Sequence, residues 1–188
     1  QKYFYPLFGN TNTKTNITCS AMSLSYHNAL HIIKHHVNAG PNDLIISTGS
    51  GMTGVVNKFQ RILGLKVYEK HRKFIDLPIE DRPMVFITHM EHHSNQTSWN
   101  TLDVTVEVLE RAPDGQPCIK DLENKLNQYS QSPLKIGAFT GCSNVTGIKT
   151  NVGLLAKTMH KYDGVCCVDY ACYAPYVNIV MQPDTPEE

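Results

Sequence analysis

The sequence predicts an α/β protein built on an open, mostly parallel sheet with helices on both faces. Three observations lead there. Short apolar runs alternate along the chain with segments of helical period. Most of those runs are continuous rather than alternating, as in strands buried on both sides. The segments that follow four of the runs are rich in Gly, Ser, Thr, Asn, His or Asp.

In chain order, strands are predicted over 43–48 (DLIIST), 83–89 (PMVFITH), 103–109 (DVTVEVL), 134–140 (LKIGAFT) and 164–170 (GVCCVDY). DVTVEVL alternates, with Val104, Val106 and Val108 set against Thr105 and Glu107, which suits a strand near a sheet edge. Helices are predicted over 20–37, 52–63, 118–129 and 151–161. Their apolar faces are Met22, Tyr26, Ala29, Ile33 and Val37; Val55, Val56, Phe59 and Leu63; Ile119, Leu122, Leu126 and Tyr129; and Val152, Leu155, Ala156 and Met159. Asp114-Gly115 marks a turn.

The 188 residues suffice for one domain with a real core. Lys+Arg and Asp+Glu balance at 17 each, which gives no general attraction to nucleic acid or to a membrane surface. No apolar run approaches the ~20 residues that span a bilayer. The first residues, QKYFYPLFGN, lack the basic-then-apolar build of a signal peptide. The six cysteines show no C-x-x-C spacing and read as reduced, mostly buried thiols of a cytoplasmic protein. The chain stops at MQPDTPEE, after a buried-looking segment and without a closing helix, so a fragment is expected.

Ligands of open α/β sheets bind beyond the carboxyl ends of the strands. The segments to read are therefore TGSGMTG, HMEHHSN, TGCSNVTG and DYACYAP. Gly49-x-Gly51-x-x-Gly54 precedes a helix whose free amides and dipole favour an anion, with the Thr53 hydroxyl as a further donor. A plain tight turn is equally consistent. A dinucleotide site would add an acid closing the next strand, about 20 residues on. Glu69 and Asp76 lie near that distance, but KVYEKHRKFIDLPIE is too charged and irregular for such a strand.

His89 and His93 stand four apart with His92 between them. Zinc would need this stretch to be helical and to have ligands from elsewhere. A solvated or buried histidine pair, or an imidazole laid on a flat ring, are the alternatives. Asp169 ends an apolar strand, either capping the next turn or facing a cationic ligand group. Ser143-Asn144-Val145-Thr146-Gly147 is a turn able to orient a polar ligand atom.

Taken in order, STGSGMTG, MEHHSNQTSW, GCSNVTGIKTNVGLLAKTMHKY and VCCVDYACYAPYV resemble the class V aminotransferase and cysteine desulfurase family over roughly residues 10–181. Its members are fold-type I enzymes that use pyridoxal 5′-phosphate (PLP). The resemblance implies a three-layer α/β/α large domain with a mostly parallel sheet, here incomplete. The whole chain, 1–188, would be the central part of that one domain. It also implies an amino-acid substrate and a homodimer with no nucleic-acid or membrane partner.

Residue by residue, the resemblance places the cofactor phosphate at Gly51, Met52 and Thr53, His92 on the pyridine ring and Asn144 near the ring hydroxyl and substrate carboxylate. Asp169 would pair with the pyridine nitrogen, keeping it protonated so that the ring accepts electrons. His92 and Asp169 are thus the expected catalytic residues. No metal is expected.

Cys172 stands where the family usually has Gln, Gly54 where Glu is common, and Asn12 near a frequent His. These departures bear on the branch of the family. The family's Schiff-base lysine follows one strand further on and is expected beyond Glu188, since Lys149 and Lys157 fall in the wrong loop or on a helix. The desulfurase nucleophilic Cys is expected there too, so none of the six is assigned that role. A catalytically silent binding or assembly domain and a nicotinamide-dependent oxidoreductase are the other readings.

Overall fold

The computed structural model describes residues 2–72, 74–75 and 77–182. The chain divides into two compact units, Ser47–Tyr173 and Gln1–Ile46 with Ala174–Glu188.

The first of these holds the sheet. Strands β1 (Met84–Ile87), β2 (Thr105–Val108), β3 (Lys135–Thr140) and β4 (Val165–Asp169) lie in the order β2-β1-β3-β4. Every pair is parallel, with Met84 opposite both Thr105 and Lys135, and Thr140 opposite Asp169. The alternating strand is at an edge, as its pattern predicts. Parallel pairing requires each strand to be followed by a crossover, so all four carboxyl ends reach one rim.

Helices cover both faces, and successive strand residues alternate between them. Met84 and Phe86 of β1 point into a core with Leu122 and Leu126 of α5 (Ile119–Gln128) and Leu155 and Met159 of α6 (Val152–Lys161). Val85 and Ile87 point the other way, toward Val56 of α2 (Gly51–Ile62) and Trp99 of α4 (His93–Asn100). On β3, Gly137 leaves room for the Phe139 ring and the Met159 side chain, which a Cβ would strike. This three-layer arrangement is the one the alternation of strands and helices predicts. A short helix, α3 (Glu69–Arg72), lies between α2 and β1.

Of the second unit, α1 (Ile17–His36) is the main element. Asn16 caps it by accepting from the Cys19 amide at 2.8 Å. Ser23 is buried and donates to the Thr11 carbonyl at 2.8 Å. The predicted apolar face is only half realised: Met22, Tyr26 and Val37 are partly covered, whereas Ala29 and Ile33 are exposed. Cys19 and Ser23 are the buried residues of this helix instead.

The strand predicted over 43–48 does not form. These residues take no strand assignment, and Leu44 is 87% exposed. Apolar character and β-branching favour a strand only where a neighbouring strand supplies the ladder. Residue pattern also missed α4, whose short polar sequence HSNQTSWN carries little periodicity. Among the described residues no helix is long and apolar enough to cross a membrane.

The six cysteines are free thiols, but they are less buried than expected: Cys19 and Cys142 are buried, Cys118, Cys166 and Cys167 half-buried and Cys172 exposed. Cys172 lies in the loop beyond the sheet rather than in a layer, where it stays exposed. Burial, with the neighbouring Cys167 adding to it, pushes the Cys166 thiol up to about 12, and burial alone takes Cys167 to about 11. Both should resist iodoacetamide at mildly alkaline pH, because the thiolate is the nucleophile. Mass spectrometry should find Cys172 alkylated before either; the reverse order would contradict this packing.

Candidate functional site

The parallel sheet brings the ends of β1, β3 and β4 to one rim, and α2 begins beside them. A cleft of about 230 Å³ opens there. Gly51, Met52, Thr53, His92, Asn144, Asp169 and Cys172, the seven residues singled out from the sequence, all line it, with Ser50, Ser94, Thr140, Cys142 and Ala171.

One end of the cleft is a donor end. Ser50 and Gly51 both take positive φ, 70° and 63°, which turns the chain sharply into α2. The Ser50 side chain makes no capping bond. The amides of Gly51, Met52 and Thr53 precede the first i→i−4 acceptor and lie at the positive end of the helix. Gly54 closes the turn. Its amide donates to the Ser50 carbonyl at 3.4 Å, and a Cβ there would collide with the Gly49 carbonyl oxygen. The Glu common at this position in the family could not occupy this turn without moving it. Gly54→Ala should therefore cost about 1–3 kcal/mol in stability and weaken phosphate-ester binding. Thermal unfolding and phosphate titration would check both, and an unchanged affinity would separate the turn from anion binding.

The same cleft carries a carboxylate. Asp169 Oδ1 accepts from the Ala171 amide at 2.8 Å, so the turn-capping reading holds for that oxygen. Oδ2 has no protein donor among the described residues, and Asp169 lines the cleft. Both readings of Asp169 are thus compatible, one for each oxygen. The loop after β4 is anchored by the Tyr170–Tyr173 stack, whose ring centroids are 5.5 Å apart. Gly141 admits that stack: a Cβ there would stand 2.7 Å from the Tyr173 ring.

His92 caps α4. The Ser94 amide, always a donor, points at His92 Nδ1 from 3.2 Å, and Ser94 Oγ lies 2.8 Å from the same nitrogen. Nδ1 is therefore an acceptor, and the ring proton of the neutral imidazole resides on Nε2. His93 opens α4 while His89 precedes it, so the two do not share a helical face. Among the described residues no group of three or more His, Cys, Asp or Glu is placed to hold a metal ion.

Asn144 is exposed at the rim. Cys172 Sγ donates to the Cys142 carbonyl at 3.4 Å. Desolvation, the Cys142 side chain and the charge of Asp169 all raise its pKa, so it stays a thiol near neutral pH.

Sequence reading missed the residue that ties these pieces together. Glu91 is largely buried, with Oε1 accepting from the Thr88 hydroxyl and the Thr140 amide, each at 2.7 Å, and from the Thr88 amide at 3.2 Å. Its Oε2 accepts from Asn95 Nδ2 at 2.9 Å. Asn95 in turn accepts from Trp99 Nε1 at 2.9 Å, and Ser98 accepts from Gln60 of α2 at 2.9 Å. This network links α2, α4, β1 and β3 directly behind His92. Glu91, Asn95 and Trp99 were visible in MEHHSNQTSW, but only as neighbours of His92.

Among the described residues the acid required by a dinucleotide site is not in place. Glu69 opens the short helix α3 rather than ending a strand, and Asp76 lies outside the described residues.

The family model for aminotransferase class-V matches residues 1–183. A probable cysteine desulfurase of Staphylococcus aureus (strain Mu50) is 26% identical over 186 residues, 97% of this chain and 41% of its own length. A probable cysteine desulfurase of Staphylococcus epidermidis is 27% identical over 184 residues, again covering 41% of that protein. The chain thus spans about two fifths of the curated relatives it matches. Among solved structures, the apo cysteine desulfurase of Thermococcus onnurineus NA1 superposes with a TM-score of 0.71 at 16% identity, over 95% of this chain and 41% of that one. A NifS-like protein gives 0.74 at 14% identity, over 95% and 46%. At these identities the structural likeness concerns the fold.

Proposed function

Because the chain belongs to the aminotransferase class-V family, whose enzymes use PLP, we propose that it is the central part of the cofactor-binding large domain of a PLP enzyme. The substrate is an amino acid, and the enzyme is of the aminotransferase or cysteine desulfurase kind. The single observation that carries this reading is the convergence of a helix start rich in free amides and an uncommitted carboxylate oxygen on one cleft. A phosphate and a protonated ring nitrogen are the two chemistries that such ends accommodate.

On this reading the Gly51, Met52 and Thr53 amides, with the Thr53 hydroxyl, hold the phosphate. Asp169 holds a proton on the ring nitrogen through Oδ2 while Oδ1 keeps its turn. His92 presents a flat ring fixed by Ser94, and Asn144 orients polar substrate atoms at the rim. Cys172 has one weak thiol donor where an amide would have two, and that donor is engaged by the Cys142 carbonyl, so any hold on a ring oxygen would require giving up this bond. When bound, the cofactor supplies an electron sink for the bonds of the substrate α-carbon. The lysine to which the family's cofactor attaches is proposed to lie beyond Glu188, consistent with the share of the relatives' length that this chain spans. A cytoplasmic homodimer is part of the same proposal.

The test is equilibrium binding. PLP should raise the unfolding temperature of the full-length protein in a concentration-dependent way. Pyridoxal, which lacks the phosphate, should do so much less, and a nicotinamide dinucleotide not at all. Protection by the dinucleotide and indifference to PLP would overturn the proposal.

A further inference from the structure

A second cavity of about 370 Å³ adjoins the cleft and shares Asn144 with it. Its walls are two short hairpins, each closed by one antiparallel bridge, Arg111 with Pro117 and Cys142 with Lys149. They are stapled together by Gln116, which donates to the Lys149 carbonyl at 2.7 Å and accepts from the Asn151 amide at 3.3 Å. The cavity is therefore set by backbone bonds as well as by side chains. Within each hairpin the Ala112 amide donates to the Gln116 carbonyl at 2.8 Å, and the Gly147 amide to the Ser143 carbonyl at 2.9 Å.

Arg111, His89 and His93 line this space. Arg111 makes no ion pair with any of the described residues. The acidic group on the same wall, Glu91, has both oxygens engaged by Thr88, Thr140 and Asn95. Resting on the reading of the cleft given above, we propose that this cavity receives the side-chain carboxylate of an acidic amino-acid substrate. Arg111 is its charge partner, and Asn144 is the joint between the two spaces. Arg111 is exposed on the wall of this cavity, and a guanidinium that makes no ion pair there favours a carboxylate over a neutral side chain. Ile148 supplies an apolar wall for the methylenes between the two acidic groups.

Two amine-free probes test this by calorimetry on the full chain: glutarate, with two carboxylates, and butyrate, with one. Glutarate should bind at least about tenfold more tightly than butyrate. Arg111→Ala should abolish that difference, and Arg111→Lys should retain part of it. Equal binding of the two acids, or a preference that survives Arg111→Ala, would overturn the proposal. An equal weakening of both acids in Arg111→Ala would also overturn it, since the arginine would then read any carboxylate. PLP titrations of the same samples keep the two readings apart. Glutarate preference without PLP binding sinks only the cofactor assignment, and PLP binding without glutarate preference sinks only this one.

Discussion

Asp169→Ala should lower turnover of the full-length protein by at least about a hundredfold, equivalent to about 2.7 kcal/mol of lost transition-state stabilisation. The carboxylate of Asp169 lines the cleft together with the start of α2, and on the proposed reading it is the group that keeps a ring nitrogen protonated. Alanine also removes the cap on the Ala171 amide, so a second variant is needed to separate charge from turn. Asp169→Asn keeps an oxygen that can accept from Ala171 and removes only the charge. Its unfolding temperature should stay close to that of the wild type while turnover falls nearly as far as in the alanine variant. Full activity in Asp169→Asn would show that the charge is not what this residue contributes.

Glu91→Ala should destabilise the protein by about 3 kcal/mol, the cost of leaving several buried donors without an acceptor. Thr88 and Thr140 lose their acceptor at once, and the Asn95 amide group is left with only the Ala138 carbonyl at 3.3 Å, unable to turn away because its oxygen is held by Trp99. Urea unfolding measures the loss. A change below about 1 kcal/mol, the net worth of a single ordinary hydrogen bond, would mean that the network is not structural.

The same residue predicts a pH dependence. Burial raises the Glu91 carboxyl above its ordinary value of 4.5, against the opposing effect of its four donors. The folded protein then holds this proton more tightly than the unfolded chain. The associated stability is complete below the unfolded value and is lost as the pH rises through the folded one. Glu91→Gln has no such titration. Its stability relative to the wild type should accordingly improve as the pH rises through that window and be constant below it. A stability difference that moves in the opposite direction would place the carboxyl below 4.5 rather than above it.

How much of this could be read from residues in a row differs from element to element. Buried strands and amphipathic helices announce themselves because one local period decides which side chains face the core. Leu122 and Leu126, or Leu155 and Met159, are buried for the reason their spacing indicates. The segment 43–48 has the same local credentials and forms no strand, since pairing is a property of two segments. In α1, Ile33 carries the expected period yet remains 51% exposed, because a helical stripe is buried only where something packs on it. The helix α4 escaped notice for the converse reason. It is held by Asn95 and Trp99 reaching into the layer beneath, not by a repeating apolar stripe.

The cleft divides in the same way. Residue types after the strands nominated the segments that hold His92, Asn144 and Asp169, because a parallel sheet delivers such ends to one rim; the resemblance picked out the residues within them, and Thr53 reaches the same cleft from the start of α2 without a strand before it. Neither the bond from the Ala171 amide to Asp169 Oδ1 nor the tautomer of His92 is written in the chain. The same holds for the role of Glu91 and for the cavity beside Asn144. Each depends on atoms distant in sequence meeting at hydrogen-bonding range, and such meetings arise only once the layers have packed.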